Sequence, residues 1–195
     1  MEGTDPVNKK LAAALSGGAV LVLALSGCGG DDSNDKLNSW AKQVCDAVQP
    51  QAKKIESANA AIQKQTSDNS SPADVRKTDS KAFQDMSAAY KAIGDAVDKA
   101  GAPNVDGGEK KQQNAVKELH KISSSYADLK TQVDKLDTGD QGKFAEGLKS
   151  VAGELSKLSQ SGSDALKKLE EGDVGKAMSE QESCKSASAT PSASS

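Results

Sequence analysis

The stretch Ala115–Leu136 reads AVKELHKISSSYADLKTQVDKL. Steps of four and three residues pick out Ala115, Leu119, Ile122, Tyr126, Leu129, Val133 and Leu136, and every one is apolar. A strand would alternate every second residue, whereas a 3.5-residue period marks a narrow helical stripe that faces other helices. The spacing predicts a helix over about 109–136.

The same period recurs on both sides. Over about 36–65 it selects Leu37, Ala41, Val44, Val48, Gln51, Ile55, Ala58 and Ile62, interrupted only by Gln51. Trp40 flanks this stripe and is expected to cap one end of the bundle. From Pro72 to about Ala100 the stripe is Phe83, Met86, Tyr90, Ile93, Val97 and Ala100, with Val75 further up. Ser71 is the expected N-cap, with Pro72 at the first helical position and Asp74 in the first turn. Gly101 followed by Pro103 is a stop signal. The fourth stripe is Phe144, Leu148, Val151, Leu155, Leu158, Gly162, Ala165 and Leu169, where Gly147, Gly153 and Gly162 each lower helix propensity by ~1 kcal/mol relative to Ala. A short fifth helix from Asp173 to near Cys184 should turn Val174, Ala177 and Met178 inward. Four long helices with short connections favour antiparallel neighbours. The expected fold is therefore all-α, an up-down-up-down four-helix bundle with a short fifth C-terminal helix.

The N-terminus has another logic. Lys9 and Lys10 precede an apolar run from Leu11 to Leu25. At 1.5 Å per residue this run spans roughly 22 Å, short of the ~30 Å hydrocarbon core, and the layout is that of a secretory signal over 1–27. The tetrapeptide Leu25-Ser26-Gly27-Cys28 that ends it resembles the lipobox of bacterial lipoproteins. That resemblance implies that Cys28 is lipidated, that the mature chain begins there, and that the membrane is a partner through this anchor. Two acyl chains on one residue give stable attachment, where one gives only marginal binding. Residues 28–35 are Gly/Asp/Asn/Ser-rich and are expected to form a flexible lipidated tether, 36–185 the helical domain, and 186–195 a disordered Ser/Ala tail.

An exported chain with Cys45 and Cys184 left over points to one disulfide. Two buried free thiols or a pair of metal ligands are the alternatives, although thiolate zinc sites normally take four protein ligands and the only histidine is His120. An even number of helix crossings returns the chain to its starting end, which would bring Cys184 back towards Cys45 and close the bundle.

Little in the sequence carries catalytic chemistry. Lys+Arg number 25 and Asp+Glu 28, interspersed for a net charge of −3, and aromatics make up 3%. No basic face with interleaved aromatics appears, so no nucleic-acid partner is expected. His120 sits beside the core positions Leu119 and Ile122, at the edge of its stripe, with no Glu three residues before it as a di-iron bundle needs. Asp137–Gly142 places Gly142 at the sixth position of a calcium loop, but Gly139, Gln141 and Leu148 stand where ligands belong, and a helix–helix turn fits better. Gly-rich segments follow helices, not strands, so no phosphate loop is implied. No catalytic set, metal site or cofactor is expected. The one oddity is Pro50 beside Gln51, where a kink next to a polar stripe position would open a pocket for a small molecule between helices.

The lipobox together with Trp40–Cys45 (Trp-Ala-Lys-Gln-Val-Cys), Gly101-Ala102-Pro103 with Asp106-Gly107-Gly108, and Ala177–Cys184 resembles small secreted lipoproteins of actinomycete bacteria. The resemblance implies location and fold and transfers no catalytic residue. The expectation is a non-catalytic interaction or structural module on the outer membrane face, with an envelope protein as partner. The alternative is a lipoprotein that binds or senses a ligand near Pro50.

Overall fold

The computed structural model of the chain describes residues 29–67 and 70–188, so Cys28, the expected signal segment and residues 189–195 lie outside the described residues. The elements are α1 (Gly29–Ser67), α2 (Pro72–Ala100), α3 (Gly108–Asp134), α4 (Gln141–Leu169), α5 (Asp173–Ser179) and α6 (Glu182–Ser188). The chain forms a helical bundle, with no strand among the described residues. Its long helices pack in chain order, α1 on α2, α2 on α3 and α3 on α4, while α5 and α6 return against α1.

α1 starts seven residues before the expected position 36, so the segment expected to be a flexible tether is helical from Gly29. Asp32 and Asp35 set negative charge against the positive end of the helix dipole, and Leu37 and Trp40 are buried just beyond. Pro50 lies inside α1 without ending it. Its missing N–H leaves the Asp46 carbonyl without a helical donor, and both residues are exposed to water that can serve instead.

The caps follow the sequence. Ser71 is extended, and its Oγ accepts from the Asp74 N–H at 3.2 Å. Gly101 ends α2 with φ +74°. In the connection to α3, a Cβ on Gly108 would lie 2.0 Å from the Pro103 carbonyl oxygen, which limits that position to glycine. α3 ends two residues before the expected 136, because Lys135 and Leu136 donate to Gln132 and Val133 in a tighter turn. Asp137 Oδ1 then accepts from Gly139 N–H at 2.9 Å, and Asp140 Oδ1 from Lys143 N–H at 3.0 Å, so Asp140 caps α4. This is the polar helix–helix turn expected there.

Two apolar clusters fill the bundle. One gathers Leu37, Trp40, Val44, Val97, Leu119 and Met178 with both cysteines. The other gathers Phe83, Met86, Ile122, Leu129, Val133 and Val151. Tyr90 packs against both, and its ring stacks on Tyr126 with centroids 5.4 Å apart. Trp40 Nε1 donates to the Gly101 carbonyl at 2.8 Å, pinning the start of α1 to the end of α2.

The expected fifth helix is two. α5 stops at Ser179, and α6 begins at Glu182 after a turn in which Gln181 donates to Met178 O and Cys184 to Gln181 O. The break lets the chain deliver Val174, Ala177 and Met178 into the core and still bring Cys184 onto α1. Cys45 and Cys184 are disulfide-bonded, with Cα atoms 5.0 Å apart across 139 residues of sequence.

Replacing both cysteines by alanine should lower unfolding stability by about 2–5 kcal/mol in urea titration, because a long loop in the unfolded chain is released. The α2–α3 pair should keep its far-UV helicity. A double variant as stable as the native protein would show that α5 and α6 are held by packing alone.

Candidate functional site

The residues singled out by sequence are dispersed. Pro50 is exposed, and Gln51 is half-buried with its Oε1 accepting from Lys54 Nζ at 3.2 Å along the same helix. Gln51 therefore serves a surface contact and does not line a core pocket. The cleft near them starts one turn later. An open groove of about 830 Å³ runs between α1 and α2, with Ala58, Ala61 and Ala82 as its floor and Lys53 and Lys77 on its rims. Small side chains on both helices keep this groove shallow, and neither Pro50 nor Gln51 lines it.

His120 occupies the expected edge. Its Nε2 lies 3.1 Å from Asp95 Oδ1, with both side chains about half exposed. Lys91 binds the other Asp95 oxygen at 2.7 Å, and this bond, ahead of the histidine's, holds the Asp95 carboxyl below its usual range. The ring lies across α2 at Gly94, where a Cβ would come within 2.6 Å of His120 Cδ2. Glycine is thus what lets α3 lay an imidazole over the backbone of α2. Among the described residues, no group of three or more His, Cys, Asp or Glu side chains could hold a metal ion.

Beside the disulfide, Asp46 accepts from Lys42 and from the Ser183 hydroxyl. These bonds hold its carboxyl below the usual range, the lysine's first. They join α1 to α6 next to Cys45–Cys184 at a solvated surface.

The residue that sequence reasoning passed over is Asp79. It is 7% exposed, and its Oδ1 has no hydrogen-bond partner. Burial pushes its pKa up to about 6. The α2 stripe steps from Val75 to Phe83 through position 79, so the signal was a carboxylate on an otherwise apolar stripe. Burial also raises Tyr126, with the Tyr90 hydroxyl adding to it, so both phenols stay neutral across the physiological range.

Known protein families, curated proteins and solved structures show no significant match to this chain.

An acid whose folded pKa lies above its unfolded value of 3.8 binds its proton more tightly in the fold. Its contribution to stability is full below pH ~3.8, falls as the pH rises through ~6 and stays low above. Asp79→Asn keeps the shape without the charge. It should raise stability by up to ~3 kcal/mol at pH 7.5 and leave it unchanged at pH 3, as read by urea unfolding at the two pH values. An equal effect at both would assign the change to shape and not to charge. Gly94→Ala should cost about 1–3 kcal/mol by displacing His120, and His120→Ala should restore most of that loss when combined with it.

Proposed function

We propose that the protein is a lipid-anchored extracytoplasmic lipoprotein whose helical bundle acts as a non-catalytic interaction or structural module. Leu25-Ser26-Gly27-Cys28 carries this reading, following an apolar run that is too short to span a bilayer. The Cys45–Cys184 bond supports it, because disulfides of this kind persist in oxidising compartments outside the cytosol. No helix among the described residues is long and apolar enough to cross a membrane. The polar groups that the fold brings together support a module without catalysis. Asp95 with His120 and Lys91, and Asp46 with Lys42 and Ser183, are solvated pairings of the kind that dress helix surfaces. An envelope protein is the proposed partner.

The α1–α2 groove favours a second reading, in which a small molecule is held between helices. Its place would be over Ala58 and Ala82, about two turns from Pro50.

Intact mass of the protein extracted from its own membrane should exceed that of a chain starting at Cys28 by a diacylglyceryl group, and Cys28→Ala should move the protein out of the membrane fraction. An unmodified wild-type mass would defeat the lipoprotein reading. A reproducible further mass in native spectrometry, lost when Ala58 and Ala82 are enlarged to Leu, would move the assignment to ligand binding.

A further inference from the structure

The α1–α2 end of the bundle buries two acceptors and gives them no donor. Asp79 lies two turns into α2, and Gln65 lies two residues before the end of α1. Asp79 Oδ1 and Gln65 Oε1 are both buried without a hydrogen-bond partner. Among the described residues the other buried polar side chains, Gln112 and Ser123 of α3, are matched across α2. Ser123 donates to the Ser87 carbonyl, and Gln112 donates to Asp98.

The charged groups around Asp79 offer it nothing. Two helices pack on α2, namely α1 and α3. From α3, Lys130 pairs with Asp134 at 2.6 Å, and the same Asp134 takes the Ser80 hydroxyl. On α2 itself, Arg76 donates to the Leu136 carbonyl at 3.4 Å, Lys77 is exposed, and Lys81 is exposed and held by Asp85. From α1, Lys64 is exposed and Gln65 brings only an acceptor oxygen into the interior. An ionised Asp79 therefore sits in the interior without a counter-charge, a state that favours opening to water. A protonated Asp79 is neutral and carries an O–H, so it stays in the interior without needing a counter-charge.

We propose that the α1–α2 end is a proton-operated latch, in which protonated Asp79 seats the first turns of α2 against α1 and α3 and ionised Asp79 lets them loosen. Thr78 and Ala82, on either side of Asp79, line the α1–α2 groove together with Gln65. Loosening therefore widens that groove, and acidification closes it. The disulfide, Trp40 and α5 hold the opposite end, so the motion stays local. The latch does not depend on how the chain is anchored.

Amide hydrogen exchange of the wild-type protein, corrected for the intrinsic pH dependence, tests this at pH 5.0 and 7.5. Protection over residues 75–83 should fall about tenfold between the two, as expected for a buried carboxyl with this shift. Protection over 41–45 and 93–97 should stay constant. Asp79→Asn, which carries its own donor, should hold 75–83 protected at both pH values. Carbon-13 titration of the Asp79 carboxyl should show a midpoint near pH 6, without any variant being needed. A midpoint below pH 5, a uniform pH response across all three segments, or an unchanged fall in Asp79→Asn would each overturn the latch.

Discussion

The disulfide between Cys45 and Cys184 is the constraint on which the lower half of the bundle depends. α5 and α6 have seven residues each, too short to persist alone in water. Their place is fixed by three buried side chains, Val174, Ala177 and Met178, and by one covalent bond to α1. Burial of a Val or Met side chain contributes about 1.5–3 kcal/mol, which offsets only part of the ordering entropy of fourteen residues. The bond removes loop entropy from the unfolded chain and makes that docking sufficient. In return, the two short helices cover Leu37, Trp40 and Val44, apolar residues near the start of α1 that would otherwise face water.

The α2–α3 pair is built on a different principle. Its contact surface carries Gly94, Ser87 and Ser123, small residues that let the two backbones approach closely. Ser123 reaches the Ser87 carbonyl only because of this closeness. Larger side chains meet across the same pair, where Phe83, Tyr90 and Tyr126 form one aromatic group. Gly147 plays the same part where α4 meets Leu136, since a Cβ there would approach Leu136 Cδ2 to 2.3 Å. A glycine that lowers helix propensity in α4 thus gives the Leu136 side chain room against it.

The four long helices, their order and most core residues were legible because a 3.5-residue period is a one-dimensional record of which face is buried, whereas the break that makes the short C-terminal helix two was not. Ser71, Pro72 and Gly101 were legible as punctuation for the same reason that they cap, through their own backbone and side-chain chemistry. The disulfide followed from topology together with the cysteine count. Asp79 was missed because stepping over a polar residue to keep a stripe apolar discards the one position where burial and chemistry conflict. The helical start at Gly29 was missed because Gly, Asp and Asn read as loop, while the charge of an aspartate at a helix N-terminus counts in the opposite sense. For Gln51 the period left two outcomes open, a pocket beside Pro50 or a tolerated bend at the surface, and its bond from Lys54 along the same helix is a surface contact.

The helical start at Gly29 also has a mechanical meaning. A continuous helix of 39 residues is about 58 Å long. If Cys28 carries the lipid, no slack separates the bilayer from this rod, and anchorage becomes orientation. Such an anchor would have no soft joint over residues 29–35 to swivel about, and rotation of the bundle would be tied to the tilt of α1. The α1–α2 turn, with Asp79 two turns beyond it, would then stand at the far end of a lever of about that length.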